Sequence, residues 1–257
     1  MNSYRRWIVI LVLCITLMYK PACPLASYQK PHIDTLNIWS LMLDKPSKSE
    51  AVPSLSHPPS VLLDVPLISQ MPGLPRGCEV TSLAMLLHYK GVHVSKLTLA
   101  KEIKKDPTPY RRIGQTVYFG NPNKGFVGSM TTMSRPGFGV FHGPIYELAN
   151  RHLQGRAINI TGSSFEAVLF HLGQQKPVWV ISTSTFERVP ARYWRTWQTP
   201  QGPVSITYKE HSVLLTGYDN QYVYFNDPLA NIKNRRVPLA SFIRGWEQYG
   251  KQAITYK

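Results

Sequence analysis

The sequence has little cysteine. Its 257 residues include three cysteines, at positions 14, 23 and 78. Three scattered cysteines are too few for a disulfide framework or a cysteine-rich zinc cluster, so we expect neither scaffold to hold the fold. Hydrophobic residues make up 43% of the chain and aromatic residues 11%. That apolar content is enough for a hydrophobic core and excludes wholesale disorder.

Acidic residues are also scarce. Lysine and arginine number 29 against 14 aspartate and glutamate residues, which gives a formal net charge of +15. A basic surface of this size attracts polyanions, and anionic polymers of the cell envelope are among the expected partners. The lysines and arginines are spread along the chain and form no long basic block, so we do not expect a nucleic-acid partner.

The N-terminus carries an apolar run that is short for a membrane span. Arg5 and Arg6 precede uncharged residues 7–19, and Lys20 ends the run. A helix of that length rises about 20 Å, less than the roughly 30 Å of a bilayer's hydrocarbon core. The pattern predicts a signal peptide over residues 1–26 and a secreted or cell-envelope protein. A retained, tilted anchor and a lipid-modified Cys23 are the alternatives.

A linker and one domain are predicted after the signal peptide. Residues 27–60 read as a linker or tail, because the stretch 44–60 combines four prolines with five serines and lacks apolar periodicity. Residues 61–257 are the length of one ordinary domain, and no internal repeat is visible.

Helices come first and non-local strands later in this domain, which predicts an α+β fold. The apolar spacing predicts helices over 78–91, 97–105, 144–152, 164–174 and 239–246, and strands over 61–70, 178–183, 211–218, 221–227 and 252–256. Residues 106–143 show neither period and are predicted to be a long loop that covers the cleft.

Cys78 is the candidate nucleophile. Cleavage near residue 26 would leave it as the one cysteine of the exported protein, and it opens the first predicted helix. The positive end of a helix favours a thiolate, and Gly77 permits close backbone approach and an unusual φ angle. An inert cysteine buried in the first turn is the alternative.

His211 and Asp227 are the candidate base and orienting acid. His211 begins one predicted strand, and Asp227 ends the next one after a tight turn at residues 219 and 220. Pairing across that turn brings position 227 or 228 close to 211 or 212, so the carboxylate can fix the tautomer of the imidazole. His142 is the strongest rival among the other histidines.

Two more side chains lie near the candidate nucleophile in sequence. Gln70 lies eight residues before Cys78, so its amide is a candidate to join the Cys78 backbone N–H as an oxyanion donor; a surface glutamine is the alternative. Glu79 is expected to be an exposed acid in the first helical turn, favourable to the helix dipole and without a catalytic role.

Three separated motifs, in this order, carry a resemblance to a known family. The stretch VPLISQ…GCEVTSLAMLLHYKG, then HSVLLTGYD, then YFNDPL resembles the C39-like peptidases of secreted bacterial proteins over residues 61–257. The resemblance implies a papain-like cysteine peptidase fold, in which an N-terminal helix carrying the cysteine packs on an antiparallel sheet carrying the histidine and the aspartate.

The same resemblance implies roles for the candidate residues. Cys78 would be the nucleophile, His211 the base, Asp227 the orienting acid and Gln70 the oxyanion glutamine, in a thiol peptidase that needs no metal or cofactor. The expected substrate is a peptide or protein, and the expected state is a monomer. The gap from Gln70 to Cys78 is longer than in transporter-linked C39 domains, and no transporter domain follows, so leader processing during export is not expected.

Two other functional hypotheses remain open. A non-catalytic envelope-binding module can use the same scaffold, and a transamidase or other acyl transferase can use the same triad. The segment 188–202 is either a substrate groove or an ordinary surface hairpin. In a groove, Tyr193, Trp194 and Trp197 would offer stacking surfaces, and Arg192 and Arg195 would bind anionic groups.

Overall fold

The computed structural model describes residues 56–257. The predicted signal peptide (1–26) and most of the predicted linker (27–60) lie outside the described residues. Two described residues of the predicted linker contact the domain: the Tyr218 hydroxyl donates to the Pro58 carbonyl at 2.7 Å, and His57 Nε2 lies 3.0 Å from Glu166. No helix in 56–257 is long and apolar enough to cross a membrane.

The described residues contain both helices and strands. The helices are α1 (Cys78–Tyr89), α2 (Lys96–Glu102), α3 (His142–His152), α4 (Phe165–Gly173) and α5 (Leu239–Gln248). The strands are β1 (Val61–Leu62), β2 (Lys105–Asp106), β3 (Arg111–Ile113), β4 (Thr116–Tyr118), β5 (Phe126–Val127), β6 (Ala157–Asn159), β7 (Val178–Thr183), β8 (Trp194–Thr199), β9 (Gly202–Thr207), β10 (Glu210–Tyr218), β11 (Tyr222–Asp227), β12 (Ile232–Pro238) and β13 (Ala253–Tyr256).

An antiparallel sheet forms the centre of the molecule. Its strand order is β12-β11-β10-β7-β13-β6, and β1 pairs with the far end of β10. Every residue of β7 is buried, as is every residue of β10 after Glu210. Burial on both faces matches their continuous apolar sequences, and it means that helices must cover both sides of the sheet.

Alternate residues of β7 show which helix covers which face. Trp179 donates its indole N–H to the Glu79 carbonyl of α1 at 2.9 Å. Ser182 lies against Gly245 of α5, so close that a Cβ on that glycine would be 3.0 Å from the serine Oγ. Residues an odd number of positions apart in a strand face opposite sides, so α1 and α5 cover opposite faces of the sheet.

A second, smaller sheet joins two segments that are distant in sequence. Its order is β3-β4-β8-β9, and Tyr118 of β4 pairs in parallel with Gln198 of β8. The prediction of a structureless loop over 106–143 was therefore wrong, because this segment contains β3, β4 and β5. These strands are two or three residues long, and β3 and β4 are mostly exposed, so they carry no apolar alternation for sequence reading to detect.

The predicted α+β class is confirmed, and most predicted elements are present. Strand 178–183 has the predicted bounds. The first helix ends at Tyr89, and Gly91, the predicted stop, follows in the turn with a φ of +85°. Two predictions were too long: the strand over 61–70 is regular at Val61–Leu62 alone, and the helix expected to reach residue 105 ends at Glu102.

Candidate active site

The predicted site residues Gln70, Cys78 and His211 line one cleft with a volume of about 320 Å³. The helix start of α1 and the first residues of β10 form its floor. Its walls include Phe138 and the exposed Tyr208. Met133 and Phe138 of the segment 106–143 thus border the cleft, and a role of this segment as a cover stays a prediction.

Cys78 is the first residue of α1, as predicted. Position 77 has no room for a side chain, because a Cβ there would lie 2.6 Å from the Leu74 Cβ. Its φ is −117°, so the expected unusual backbone angle was wrong and the expected close approach is confirmed. The Cys78 amide belongs to the first helical turn, where backbone N–H groups have no partner within the helix and are available to a ligand.

His211 and Asp227 are in contact through a 2.9 Å hydrogen bond between Nε2 and Oδ1. The hairpin register differs from the predicted one: Leu214 pairs with Asn226, and a bulge shifts the pairing between Leu215 and Gly217. Asp227 therefore reaches His211 diagonally rather than from the directly opposite position. Because Nε2 is bonded to the carboxylate, Nδ1 is the ring nitrogen left to exchange protons in the cleft.

Asp227 is held as a carboxylate by more than the histidine. Its oxygens also accept from the backbone N–H groups of Leu229 (3.0 Å) and Ala230 (3.1 Å) and from the Arg235 guanidinium (2.8 Å). Burial opposes ionisation, but these bonds together with His211 outweigh it and hold the pKa of Asp227 far below its ordinary value.

Arg235 is a site residue that the sequence analysis missed. It lies on β12, where its guanidinium stacks 4.7 Å above the Phe186 ring, and that ring lies 6.0 Å from the His211 ring. β12 is largely polar and has no alternating apolar pattern. One sequence signal could have found it. Arg235 and Arg236 follow Asp227 by eight and nine positions, a spacing that a second hairpin can bring back beside the acid.

Gln70 is buried, so the surface alternative for this residue was wrong. Its backbone N–H donates to the Pro228 carbonyl at 2.8 Å, which ties it to the residue after Asp227. Its side-chain amide donates to the carbonyls of Leu74 (3.2 Å) and Pro75 (3.1 Å), while Oε1 is buried without a partner. An oxyanion role, which stays a prediction, requires one of these two N–H bonds to be redirected.

Glu79 contradicts its predicted exposure. The side chain is fully buried: Oε1 accepts from the Val140 N–H at 2.7 Å, and Oε2 lies 3.4 Å from the Cys78 sulfur. Glu210 lies close to both residues. The Cys78 sulfur and one carboxylate oxygen each from Glu79 and Glu210 lie within 4.8 Å of one another. Within 56–257 these side chains form the one group of this kind close enough to hold a metal ion.

The expected thiolate at the helix start was also wrong for this state of the site. Burial, followed by the nearby Glu79 and Glu210, raises the pKa of the Cys78 thiol well above its ordinary value, and the Ser212 backbone N–H opposes this only in part. The helix dipole is a local effect worth about 1 kcal/mol, and desolvation beside two acids exceeds it.

The rival candidates lie elsewhere. His142, at the start of α3, accepts from the Asn159 side-chain amide at 3.0 Å and does not line the cleft. In the segment 188–202, Trp197 is buried and donates to the Gly120 carbonyl at 2.9 Å, and Trp194 packs on Tyr249. Tyr193 alone of the three aromatic residues is exposed, so the hairpin reading fits this segment better than a stacking groove.

Comparison with known proteins identifies the family. The model of the Peptidase_C39 like family matches residues 62–254. The uncharacterized protein YvpB of Bacillus subtilis (strain 168) is 47% identical over 194 residues, which cover 75% of this chain and 74% of the relative.

A solved structure agrees with this assignment. The crystal structure of a candidate C39-like peptidase from Bacillus anthracis superposes with a TM-score of 0.72 at 45% identity. The match covers 77% of this chain and 97% of that one. The helix that carries Cys78, packed on an antiparallel sheet that carries His211 and Asp227, is the predicted papain-like α+β arrangement. The chain therefore belongs to the C39-like peptidase family.

Proposed function

We propose that this protein is an exported cysteine peptidase that hydrolyses peptide or amide bonds through an acyl-enzyme on Cys78. The observation that supports the proposal most strongly is that the helix-start cysteine and His211 line one cleft, with Asp227 bonded to His211 and Arg235 bonded to Asp227. A buried, hydrogen-bonded carboxylate of this kind adds little to stability, so its place behind the histidine of the cleft is best explained by catalysis.

The geometry supports a stepwise mechanism. His211 Nδ1 removes the thiol proton as Cys78 Sγ attacks the substrate carbonyl, and the imidazolium is stabilised by Asp227. The Cys78 backbone N–H is the first donor to the oxyanion, and Gln70 is the candidate second donor. His211 then protonates the leaving amine, which departs. Water attacks the thioester with His211 as base and releases the carboxylic acid and the thiol.

Three parts of the proposal rest on the sequence. Export rests on the signal-like pattern of residues 1–26, and tethering at or near the envelope rests on the predicted linker. An anionic envelope polymer as a partner rests on the net charge of +15.

The test is digestion of a peptide library by the mature protein, with new termini detected by mass spectrometry. We expect cleavage by the wild type and none by Cys78→Ala. We expect a loss of about 10²- to 10⁴-fold for His211→Ala, because a general base contributes that much. His142→Ala is the matched control and should cleave normally. Products joined to an amine instead of water would favour acyl transfer, and no cleavage by the wild type would overturn the proposal.

A further inference from the structure

Two acids lie beside Cys78, the buried Glu79 and the half-buried Glu210, and neither has a role in the mechanism above. Glu79 follows Cys78 on α1, and Glu210 precedes His211 on β10, so each acid neighbours a member of the catalytic pair in sequence. Gly139 closes the space over them: a Cβ there would lie 2.4 Å from Glu79 Oε1 and 3.3 Å from Glu210 Oε2. The loop therefore needs a glycine at this position to accommodate both carboxyl groups.

Within residues 56–257 no positive charge is paired with either acid. Arg76 lines the same cleft as Glu210, but its guanidinium donates to two backbone carbonyls. Neither carboxyl forms a salt bridge within residues 56–257, and Glu210 Oε1 is buried without any hydrogen-bond partner. Glu79 accepts one backbone N–H, from Val140. Two adjacent carboxylates beside a thiolate in such a space cannot all be ionised, so the site must retain protons at neutral pH.

The titratable groups packed around the acids do not change this conclusion. They are Cys78 on α1, His211 on β10 and Tyr249 after α5. His211 directs Nε2 to Asp227, and the Tyr249 hydroxyl donates to the Thr207 carbonyl at 2.7 Å. The neighbours from β7 and from the loop, Trp179 and Gly139–Val140, carry no charge. Burial raises the pKa of Glu79 to about 7, and burial followed by Glu79 raises that of Glu210 well above its ordinary value.

We propose that Glu79 is a further catalytic group, which donates a hydrogen bond to the Cys78 thiolate when its carboxyl is protonated and holds the thiol proton when it is ionised. Its Oε2 is the atom in contact with Sγ, and the Val140 N–H fixes the other oxygen. Glu210 is the positioning residue, which keeps its own proton and fills the space beside Glu79.

This assignment predicts that the nucleophile is most available at mildly acidic pH. Below neutral pH Glu79 is a donor, and hydrogen bonding to the charged form favours the thiolate that pairs with the His211 imidazolium. As the pH rises, Glu79 loses its proton, and its negative charge then opposes ionisation of the sulfur 3.4 Å away. The inference rests on the proposed function, since it treats Cys78 as the nucleophile.

The test is the rate of Cys78 alkylation by iodoacetamide between pH 5.5 and 8 in the mature wild type and in Glu79→Gln. Glutamine keeps an oxygen for the Val140 N–H and donates to Sγ at every pH. At pH 8 we expect Glu79→Gln to react about tenfold faster than the wild type, since each unit of thiol pKa changes the thiolate population tenfold. At pH 5.5 we expect the two rates to agree within about threefold. The exposed Glu147→Gln is the matched control and should follow the wild type.

An effect on structure alone would change the rate by the same factor at every pH, and that result would overturn the inference. So would a wild-type rate at pH 8 that rises when EDTA is added, because it would make the three side chains a cation site. Infrared difference spectra of the wild type give an independent measurement if Glu79→Gln fails to fold. We expect one carboxylic acid C=O band to disappear between pH 6 and 8 while that of Glu210 persists, and the loss of no band over this range would also overturn the inference.

These outcomes are separable from those of the peptidase test. Alkylation reports on the thiol whether or not a peptide is cleaved. The expected pH-dependent ratio without peptide cleavage would reject the proposed function alone. Cleavage by the wild type with a constant ratio would reject only the role of Glu79.

Discussion

Asp227 and Glu79 are both buried beside the same cleft, and their environments favour opposite protonation states. Asp227 accepts from two backbone N–H groups, a histidine and an arginine. Glu79 accepts from one backbone N–H and a thiol, with a second acid nearby. Burial is common to both, so the number of donors and the sign of the neighbouring charge determine which carboxyl ionises. The site thus pairs a fixed charge behind the base with a proton beside the nucleophile.

The largest expected effect comes from removing the fixed charge. In Asp227→Asn the imidazolium loses its counter-charge and His211 loses the partner that fixes its tautomer, so we expect kcat to fall on the order of 10³- to 10⁴-fold. The check is steady-state hydrolysis of a cleaved library peptide. Asp64→Asn is the control, because Asp64 is exposed and pairs with Lys233. A loss below tenfold would contradict the role of Asp227.

The next largest effect is the contribution of Glu79 to the pH dependence of the free energy of unfolding. The pKa of Glu79 rises from an ordinary 4.5 to about 7 on folding, so the folded state binds the extra proton. Its contribution to the free energy of unfolding is full below pH 4.5 and falls, by about 3 kcal/mol in total, as the pH rises to 7.

Urea unfolding at pH 5 and pH 8 measures this difference. We expect the decrease to be smaller in Glu79→Gln than in the wild type. Glu147→Gln should show the wild-type decrease, and an equal decrease in all three proteins would show that Glu79 is ionised in the folded state at both pH values.

A smaller effect is expected from crowding the two acids. In Gly139→Ala the new methyl group overlaps Glu79 Oε1, so the loop or the carboxyl must move, at a cost of about 1–3 kcal/mol. Urea unfolding at constant pH is the measurement. Gly143→Ala is the matched control, since the nearest atom to a Cβ there is 3.6 Å away. Equal stability of the two variants would contradict the tight packing over Glu79.

The smallest effect concerns Arg235. Methionine at this position keeps the contact with Phe186 but removes one donor to Asp227, so the pKa of that carboxyl should rise toward its ordinary value. A lowered carboxyl pKa stabilises the fold above pH 3.8, and that stability is lost as the pH falls. We therefore expect acid unfolding of Arg235→Met, followed by circular dichroism, to begin at higher pH. Arg236→Met, on the neighbouring exposed position, should match the wild type.

Local sequence signals predicted the backbone of the site well. The three- and four-residue spacing after Cys78 placed the helix start, and apolar runs on either side of residues 219 and 220 placed the hairpin that brings His211 to Asp227. These features depend on neighbours in sequence, and periodicity reports them directly. The exact register was missed because a bulge lies within β10.

The electrostatics of the site could not be read in the same way. Glu79 was expected to be exposed because acids in a first helical turn usually are, and its burial depends on Gly139, sixty residues later. The thiol pKa was predicted from the helix dipole, whereas the larger effects come from tertiary burial and from Glu210. Arg235 was missed because β12 is polar and mostly solvent-facing, so it carries no strand pattern.

The most direct test of the central claim is capture of the acyl-enzyme. The protein would be mixed with a short peptide p-nitrophenyl ester and quenched in acid within milliseconds, and its intact mass and peptide map would be determined. We predict one acyl group per chain, attached to Cys78 and formed with a burst of p-nitrophenolate, and far slower formation in His211→Ala. Continued hydrolysis of the ester with no acyl group on Cys78, or with the group on another residue, would contradict the account.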